Sequence, residues 1–257
     1  MRQAKLKLKL KHNFKRRTSM KHKTVLSFNE LRDEYINEIR PRTANQKKYW
    51  NMLADDSKSI VIAHGPAGCG KTYLSVHKAL RELGDKESPI DGIVIVKPLV
   101  EAAGEKIGFL PGDVEEKTAP FMMSFYYNME QIIGKQRLEV LKQTGVVKVI
   151  PLAYMRGLTL TDSIVVLDEA QNATTSQIKT FLTRIGNGSK FIVNGDLMQS
   201  DIKTSNGLDD SVKRFTGVKR VGFSQFDLED VVRHPIVGEL LARYKDDYKL
   251  GALSAEE

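Results

Sequence analysis

A short glycine-rich segment carries the clearest chemical pattern in the sequence: residues 65–72 read GPAGCGKT. The spacing G-x-x-x-x-G-K-[ST] is typical of loops that bind nucleotide phosphates, because the glycines let backbone N–H groups surround an anionic β-phosphate. Lys71 then reaches the β and γ oxygens, and Thr72 offers a hydroxyl to Mg²⁺. We predict a nucleotide-binding loop made of Gly65, Pro66, Ala67, Gly68, Cys69, Gly70, Lys71 and Thr72.

Cys69 is the only cysteine in the sequence and lies inside this loop. The simpler interpretation is a small spacer without chemistry. The alternative is a redox-sensitive thiol, because a helix N-terminus lowers the pKa of a nearby cysteine. A single cysteine also excludes an intrachain disulfide and favours a reducing cytoplasm.

Two adjacent carboxylates, Asp168 and Glu169, follow an apolar run in SIVVLDEAQN. Adjacent acids in a loop are often only solvated, but an apolar strand before them and the phosphate loop upstream favour a catalytic pair. Asp168 is suited to hold Mg²⁺ through its water shell. Glu169 is suited to orient and deprotonate an attacking water, as hydrolysis requires.

A second apolar run, KFIVNGDLMQS, also ends in polar residues. Gln199 in this segment can hydrogen-bond the γ-phosphate or the attacking water and report its loss to a neighbouring site. The alternative is an ordinary turn that is capped by Asp196. We predict that Gln199 belongs to the catalytic residues.

Short apolar runs alternate with stretches of helical spacing along the chain. The runs lie at 59–64, 92–96, 146–150, 163–168, 190–196 and 218–223. They are rich in Val and Ile rather than alternating, as in strands buried on both faces of a parallel sheet. Helices are predicted over 26–41, 42–56, 72–83, 115–134, 175–186 and 235–244. This order predicts an α/β fold with a mostly parallel, doubly wound sheet flanked by helices, which binds ligands at the carboxyl ends of its strands.

The composition fits a soluble protein with one large domain. The chain has 257 residues, of which 41% are hydrophobic and 28% charged. No run approaches the roughly 18 apolar residues of a membrane helix, and no secretory signal is recognisable. We expect a basic flexible tail over 1–25, a single domain over 26–245 and a C-terminal tail over 246–257.

The positive charge is concentrated in residues 1–25, which contain ten Lys or Arg and no acid, although the net charge of the whole chain is only +8. A flexible basic arm attracts phosphodiester backbones without regard to sequence. The alternative is a solvated extension without a partner.

Several blocks occur in an order that carries a family resemblance. They are GPAGCGKTYLS, EKIGFLPGD, IPLAYMRGLTL, VVLDEAQNATTSQIKTFLTRIG, VNGDLMQSDI, SNGLDD and DVVRHPIVG. With them the chain resembles, from about residue 42 to residue 245, the PhoH-like family of P-loop ATPases related to superfamily 1 helicases. The resemblance implies a single RecA-like domain that hydrolyses ATP with Mg²⁺. It also implies coupling to single-stranded RNA or DNA, with RNA favoured, in translocation or unwinding.

The resemblance assigns roles to three further residues. Gln46 in TANQKKY is similar to the helicase glutamine that reads the adenine edge, although a surface helix residue is the alternative. Arg233 in VVRHP matches a block where related ATPases place an arginine finger, which neutralises charge on the transferred phosphoryl group. Arg184 is the competing candidate, or a residue that bridges subunits. The alternative for Arg233 is an ion pair with Asp227, Glu229 or Asp230.

Two segments are candidates for contact with a nucleic acid strand. The first, over 97–113, contains Lys97, Glu105 and Lys106, and its counterpart in related helicases touches the strand. Lys97 stands where the family often has Arg, and EAAGE carries an additional Ala, which weakens the inference about strand preference. The second segment is AYMRG, in which Tyr154, Met155 and Arg156 form a basic and aromatic cluster. Tyr154 is equally suited to packing.

One domain of this size supplies only part of a helicase-like ATP site. Superfamily 1 helicases build that site between two domains, whereas about 210 residues suffice for one. The missing wall is expected from another chain, which predicts a homo-oligomeric ring, with a hexamer as the expected form, or a filament if the contact does not close. Some family members carry a nuclease domain, and here nuclease activity would need a partner chain.

Two rival functions remain open at the level of sequence. A small-molecule kinase needs an acceptor site and an Arg-rich lid, whereas Asp168 and Glu169 followed by Gln171 suit water as the acceptor. A nucleotide-gated RNA-binding module with slow turnover is harder to exclude, because a good base does not guarantee a fast cycle.

Overall fold

The structure is a computed structural model that describes residues 36, 38–98, 114–197, 199, 206–232, 236–237, 239–240 and 243, and for 114–121 the backbone only. The predicted tails over 1–25 and 246–257 lie outside the described residues. No helix within the described ranges is both long and apolar enough to cross a membrane.

In the part of the chain that the structure describes, six parallel strands form one sheet. They are β1 (Ile60–His64), β2 (Gly92–Lys97), β3 (Val147–Pro151), β4 (Ser163–Leu167), β5 (Lys190–Gly195) and β6 (Val221–Gln225). Their order across the sheet is β3-β2-β4-β5-β1-β6, and every pairing is parallel. All five residues of β4 are buried, as expected for a Val/Ile-rich strand covered on both faces. The predicted α/β fold with a parallel sheet is confirmed.

The last strand begins later than the sequence pattern indicates. The prediction was 218–223, whereas β6 spans Val221–Gln225. Val218 is 46% exposed and lies in a turn, where its N–H donates to Phe215 O at 3.0 Å and its carbonyl accepts from Val221 N at 2.9 Å. An apolar side chain in a turn therefore imitated the start of a strand.

Within the described residues, six α-helices with defined bounds flank the sheet. They are α1 (Ala44–Ala54), α2 (Lys71–Gly84), α3 (Val114–Ile133), α4 (Lys135–Gln143), α5 (Thr175–Leu182) and α6 (Gly207–Phe215). The predictions for α1, α2, α3 and α5 are confirmed, although α5 ends four residues early. It ends because the chain turns back to Leu160, whose N–H donates to Arg184 O at 2.9 Å and whose carbonyl accepts from Gly186 N at 2.7 Å.

Two helices were missed. Helix α4 follows α3 after only Gly134, whose φ of +81° breaks the first helix. Helix α6 is capped by the preceding residue, Asn206, whose side chain accepts hydrogen bonds from Leu208 N and Asp209 N. Acidic residues in its first turn and basic residues in its last turn complement the helix dipole, and this signal was available in the sequence.

Two other helix predictions fall largely on undescribed residues. Of the helix predicted over 26–41, residues 36 and 38–41 are described and are not helical. The described residues within 235–244 are helical.

The sheet separates two cores, and this arrangement fixes where a ligand can bind. Helices α1 to α4 cover one face, where Leu53, Leu80 and Phe125 are buried. Helices α5 and α6 cover the other, where Phe181 and Leu208 are buried. Because both faces are covered, the polar residues that follow the strands collect at the carboxyl edge.

Candidate functional site

The glycine-rich loop joins β1 to α2 at the carboxyl edge of the sheet. Gly65 has a φ of +144°, Gly68 of +90° and Gly70 of +87°, values that residues with a side chain rarely adopt. At Gly65 the space is also closed, because a Cβ atom there would lie 2.4 Å from Phe226 O. The loop therefore approaches the end of β6 as closely as a backbone can.

Lys71 begins helix α2 and turns its ammonium group into this loop. Its Nζ donates to Gly65 O at 2.6 Å and to Pro66 O at 2.9 Å, and the residue is buried. The cation thus lies inside the loop that the sequence predicts to surround phosphates, where it can exchange these carbonyl partners for phosphate oxygens.

Thr72 and Asp168 meet between the loop and the end of β4. The Thr72 hydroxyl donates to both Asp168 carboxylate oxygens, at 3.0 and 3.1 Å. The hydroxyl and carboxylate oxygens meet at one point, and Mg²⁺ prefers hard oxygen ligands of this kind. Thr72 and Asp168 are therefore the residues that would hold Mg²⁺. Within the described residues, no cluster of three or more His, Cys, Asp or Glu is placed to hold a metal ion.

The electrostatics of Asp168 favour a cation. Burial, and then the neighbouring Glu169, raise the pKa of the Asp168 carboxyl to about 6, against the opposing effects of Lys97, Thr72 and Lys71. A buried carboxyl with raised pKa is costly to ionise. A bound divalent cation would offset that cost directly.

Glu169 is the first residue after Asp168 and sits in a constrained backbone. Its φ of +54° places it in the left-handed region, which is uncommon for a residue with a side chain. Its Oε2 accepts a hydrogen bond from Gln171 Nε2 at 2.6 Å. The turn therefore presents the predicted base at the same edge as the loop, in a defined orientation.

Gln171 connects this base with the next strand. In the sequence it was noted only as suiting water as the acceptor and was not counted among the site residues. It is 1% exposed, and its Oε1 accepts from Asp196 N, at the end of β5, at 2.9 Å. One amide thus ties the loop after β4 to the loop after β5. The DEAQ order of residues 168–171 was the available signal.

Gln199 lies in the turn after β5, and its side chain is exposed. Its N–H donates to Asp196 O at 3.1 Å, which places the turn beside the candidate site. The contact predicted between its amide and a γ-phosphate stays a prediction.

A buried polar network fixes the helices behind the loop. Tyr49 of α1 donates to Asn194 Oδ1 at 2.7 Å, and Asn194 Nδ2 donates to Ser75 Oγ of α2 at 2.8 Å. All three residues are 0% exposed, and burial raises the pKa of the Tyr49 hydroxyl. This network aligns α1, α2 and β5 beneath the site.

Gln46 lies against the loop with its amide fully inside the protein. It is 4% exposed. Its Nε2 donates to Cys69 O at 3.0 Å, and its Oε1 accepts from Arg42 N at 2.7 Å. The surface alternative is therefore wrong, while the adenine-reading role stays a prediction.

Cys69 is 0% exposed, and burial raises the pKa of its thiol. A buried, protonated thiol is a poor nucleophile. Both observations favour the spacer interpretation over a redox-sensitive thiol.

The two arginine-finger candidates have different outcomes. Arg233 lies outside the described residues. Arg184 follows α5 and donates to Leu158 O at 3.3 Å and Thr183 Oγ1 at 3.1 Å. It lies near Leu160, which precedes β4, and therefore at the edge of the sheet opposite the loop.

The nucleic acid candidates are only partly described. Glu105 and Lys106 lie outside the described residues. Lys97 ends β2 and is half-buried near Asp168. Tyr154 is half-buried against the core and Met155 is buried, so only Arg156 of that cluster is exposed.

Comparison with known proteins identifies the family. The sequence model of the family described as "PhoH-like protein" matches residues 38–245. A PhoH-like protein of Bacillus subtilis is 42% identical over 208 residues, which are 80% of this chain and 64% of that protein. A PhoH-like protein of Mycobacterium tuberculosis H37Rv is 42% identical over 213 residues, covering 81% and 59%. Protein PhoH of Escherichia coli K12 is 39% identical over 204 residues, covering 78% and 57%.

These matches cover only part of the relatives, because the chain spans 57% to 64% of their length. Among solved structures, the Pif1 helicase from Candida albicans is similar with a TM-score of 0.34 and 14% identity, over 74% of this chain and 40% of that one. That score is too low to say anything about function. The length of the family match and the identities of about 40% are decisive: this chain has a P-loop NTPase fold and belongs to the PhoH-like protein family.

Proposed function

We propose that this chain is a Mg²⁺-dependent ATPase that couples hydrolysis to binding of single-stranded nucleic acid, RNA in preference to DNA. The observation that carries the proposal is the hydrogen bond from Thr72 to both oxygens of the buried Asp168 carboxylate. It brings the metal-binding pair together between a phosphate loop and a candidate base. The resemblance and the family membership support ATP as the nucleotide.

Each residue of the site has a distinct chemical task in this proposal. Lys71 and the N–H groups of the loop bind the β- and γ-phosphates. Thr72, and Asp168 through water, would hold Mg²⁺, which would supply charge neutralisation at the phosphates. Glu169 takes a proton from the attacking water as the water oxygen bonds to the γ-phosphorus and the bond to the β–γ bridging oxygen breaks. Gln171 holds the Glu169 carboxylate in position, and Gln199 contacts the γ-phosphate.

The nucleic acid strand is proposed to cross the carboxyl edge near β2 and β3. Arg156 is exposed there, two residues after the half-buried Tyr154, and Lys97 ends the adjacent strand. A cation and an aromatic residue close together in the chain suit a single strand, whose bases stack and whose phosphates need neutralisation. Glu105, Lys106 and the basic residues 1–25 extend the same surface in the proposal.

A homo-oligomer, with a hexameric ring as the expected form, completes the ATP site. Arg184 lies at the edge of the sheet opposite its own phosphate loop, so it can serve as a finger only in a neighbouring subunit. Arg233, which follows the segment beside the loop, is the other candidate. A nuclease partner, if one exists, acts from a separate chain.

The second candidate function is a nucleotide-gated binding module with slow turnover. It is favoured by the hydrogen bond of 2.6 Å between Gln171 and Glu169. The bond engages Oε2 of the proposed base, so an attacking water must compete with the Gln171 amide for that oxygen.

Steady-state ATP hydrolysis by the wild type and by Glu169→Gln tests the proposal. It is measured with and without single-stranded RNA or DNA, at low and at physiological salt. Stimulation by a single strand supports the coupled ATPase. A hydrolysis rate that neither RNA nor DNA changes contradicts the coupling. Tight ATP binding with negligible turnover favours the gated module.

A further inference from the structure

The P-loop is held from outside by two donors that come from opposite ends of the described chain. Gln46 Nε2 donates to Cys69 O at 3.0 Å, and Val232 N donates to the adjacent carbonyl, Gly68 O, at 3.1 Å. A loop that turns its N–H groups toward a phosphate turns carbonyls outward, and those carbonyls need partners. The two donors supply them.

The segments that carry these donors are joined by one buried carboxylate, that of Asp230. It is 3% exposed and accepts hydrogen bonds from the Thr43 hydroxyl, from Asn45 Nδ2 at 2.8 Å and from Asp227 N at 2.8 Å. These bonds hold the pKa of the Asp230 carboxyl below its usual value in spite of its burial. The start of α1 is thereby fixed to the segment that follows β6.

A continuous chain of hydrogen bonds runs from Asp230 to the loop. The Thr43 hydroxyl donates to Asp230 and, through its oxygen, accepts from Gln46 N at 3.2 Å. Gln46 then reaches Cys69 O with its side chain. Its amide nitrogen also lies 3.2 Å from where a Cβ of Gly70 would be, so Gln46 packs directly on the loop.

We propose that Asp230, Thr43 and Gln46 form a brace that presets the P-loop for phosphate. Gln46 is then a positioning residue for the loop and does not choose the base. The burial of Gln46 carries this inference. Its amide keeps one N–H and one lone pair beyond its two hydrogen bonds, but at 4% exposure the protein encloses these groups and does not present them to a base. The inference rests on the proposed nucleotide-binding function.

Binding of MgATP and MgGTP to the Gln46→Ala variant of the full chain separates the two roles. A brace predicts that both dissociation constants rise by about tenfold, since the hydrogen bond from Gln46 to the loop is lost, and that their ratio stays within about twofold of the wild type. If ATP binding weakens while GTP binding does not, or if neither changes, the brace is wrong. A wild type that binds neither nucleotide contradicts the proposed function instead.

Matched variants test the remote part of the brace. Thr43→Val removes the hydroxyl and Thr43→Ser retains it, so only Thr43→Val should weaken the binding of both nucleotides. Asp230→Asn cannot accept all three hydrogen bonds, so it should raise both dissociation constants by about tenfold. Glu229→Gln makes the same charge change at an exposed neighbour and should have no effect.

A double variant provides the final check. If the residues act through one continuous chain of hydrogen bonds, Asp230→Asn combined with Gln46→Ala weakens nucleotide binding no more than the stronger single change does. The melting temperature of each variant, measured without nucleotide, verifies that it folds. Additive losses, or equal losses in Thr43→Val and Thr43→Ser, would overturn the proposal.

Discussion

The P-loop and the carboxylate loops lie side by side at one edge of the sheet, yet their polar groups are satisfied in different ways. The P-loop is held by neutral donors on its outward carbonyls, from Gln46 and Val232. The carboxylate side contains Asp168 and Glu169 in sequence, with Asp168 buried and its pKa raised to about 6. The P-loop side is preorganised. On the carboxylate side, the buried charge of Asp168 is unfavourable until a cation binds beside it.

This difference separates binding from chemistry within one site. Changes on the P-loop side should alter phosphate affinity and local stability. Changes on the carboxylate side should alter turnover, and at Asp168 they should stabilise the protein itself. Four substitutions test this division.

The largest effect is expected from Glu169→Gln, because it removes the proposed base and retains the shape of the side chain. We expect kcat to fall by about 10²- to 10⁴-fold, with the dissociation constant for MgATP little changed. Single-turnover hydrolysis and equilibrium binding measure the two quantities. Loss of binding in place of turnover would contradict the division.

Asp168→Asn should abolish turnover and yet stabilise the protein without nucleotide and Mg²⁺. The pKa of this carboxyl is about 6 in the folded chain against 3.8 ordinarily, a difference that corresponds to about 3 kcal/mol at neutral pH. Chemical denaturation in the presence of a chelator measures the free energy of unfolding.

The stabilisation by Asp168→Asn should depend on pH in a defined direction. Between 3.8 and about 6 the folded state binds more protons than the unfolded state, so the wild type loses stability as pH rises through this window. The Asn side chain does not titrate. The variant should therefore gain little near the lower limit and most above the upper one, and a gain independent of pH would exclude this explanation.

Gly65→Ala should destabilise the P-loop side. The added methyl group would meet Phe226 O at 2.4 Å, at a φ of +144°, and strain with overpacking costs about 3 kcal/mol. Gly217→Ala is the matched control, because Gly217 also has a positive φ, +86°, but nothing lies within 4 Å of its Cβ position. There the cost should be about 1 kcal/mol, and thermal unfolding compares the two.

The smallest effect is expected from Gln171→Ala. It frees the Glu169 carboxylate and leaves Asp196 N without the Gln171 oxygen, so kcat should fall by about tenfold with ATP affinity unchanged. Gln199→Ala, on the exposed turn nearby, tests the predicted contact with γ-phosphate in the same assay. If Gln171→Ala raises kcat, the hydrogen bond to Glu169 restrains the base, as the gated module requires.

Much of the fold could be predicted because its signals are local. The six strands are short apolar runs, and four helices have clear helical spacing. The misplaced start of β6 and the two missed helices, α4 and α6, arise at turns. There a single residue (Val218, Gly134 or Asn206) decides where the element begins, and no periodic pattern marks the position. Helix α5 ended early because of a contact with Leu160, about 25 residues away in sequence.

The candidate site was predictable to the same extent and for the same reason. The residues of 65–72 and 168–169 are contiguous motifs at strand ends, and they were found. Gln171 was noted beside the carboxylates but was not assigned to the site, because its role depends on a contact with Asp196 N that the sequence does not record. Gln46 was recognised only by resemblance, and its buried partners point to a different role.

The sequence by itself determined that this chain would form a parallel α/β sheet with a phosphate loop and a carboxylate pair at the ends of strands. Glycine spacing and runs of Val and Ile encode those features locally. Only the tertiary structure decided that β5 separates β1 from β4, and that Asp230 meets Thr43 across 187 residues of chain. Such contacts join segments far apart in sequence, and neither periodicity nor composition records which distant polar groups will be buried together.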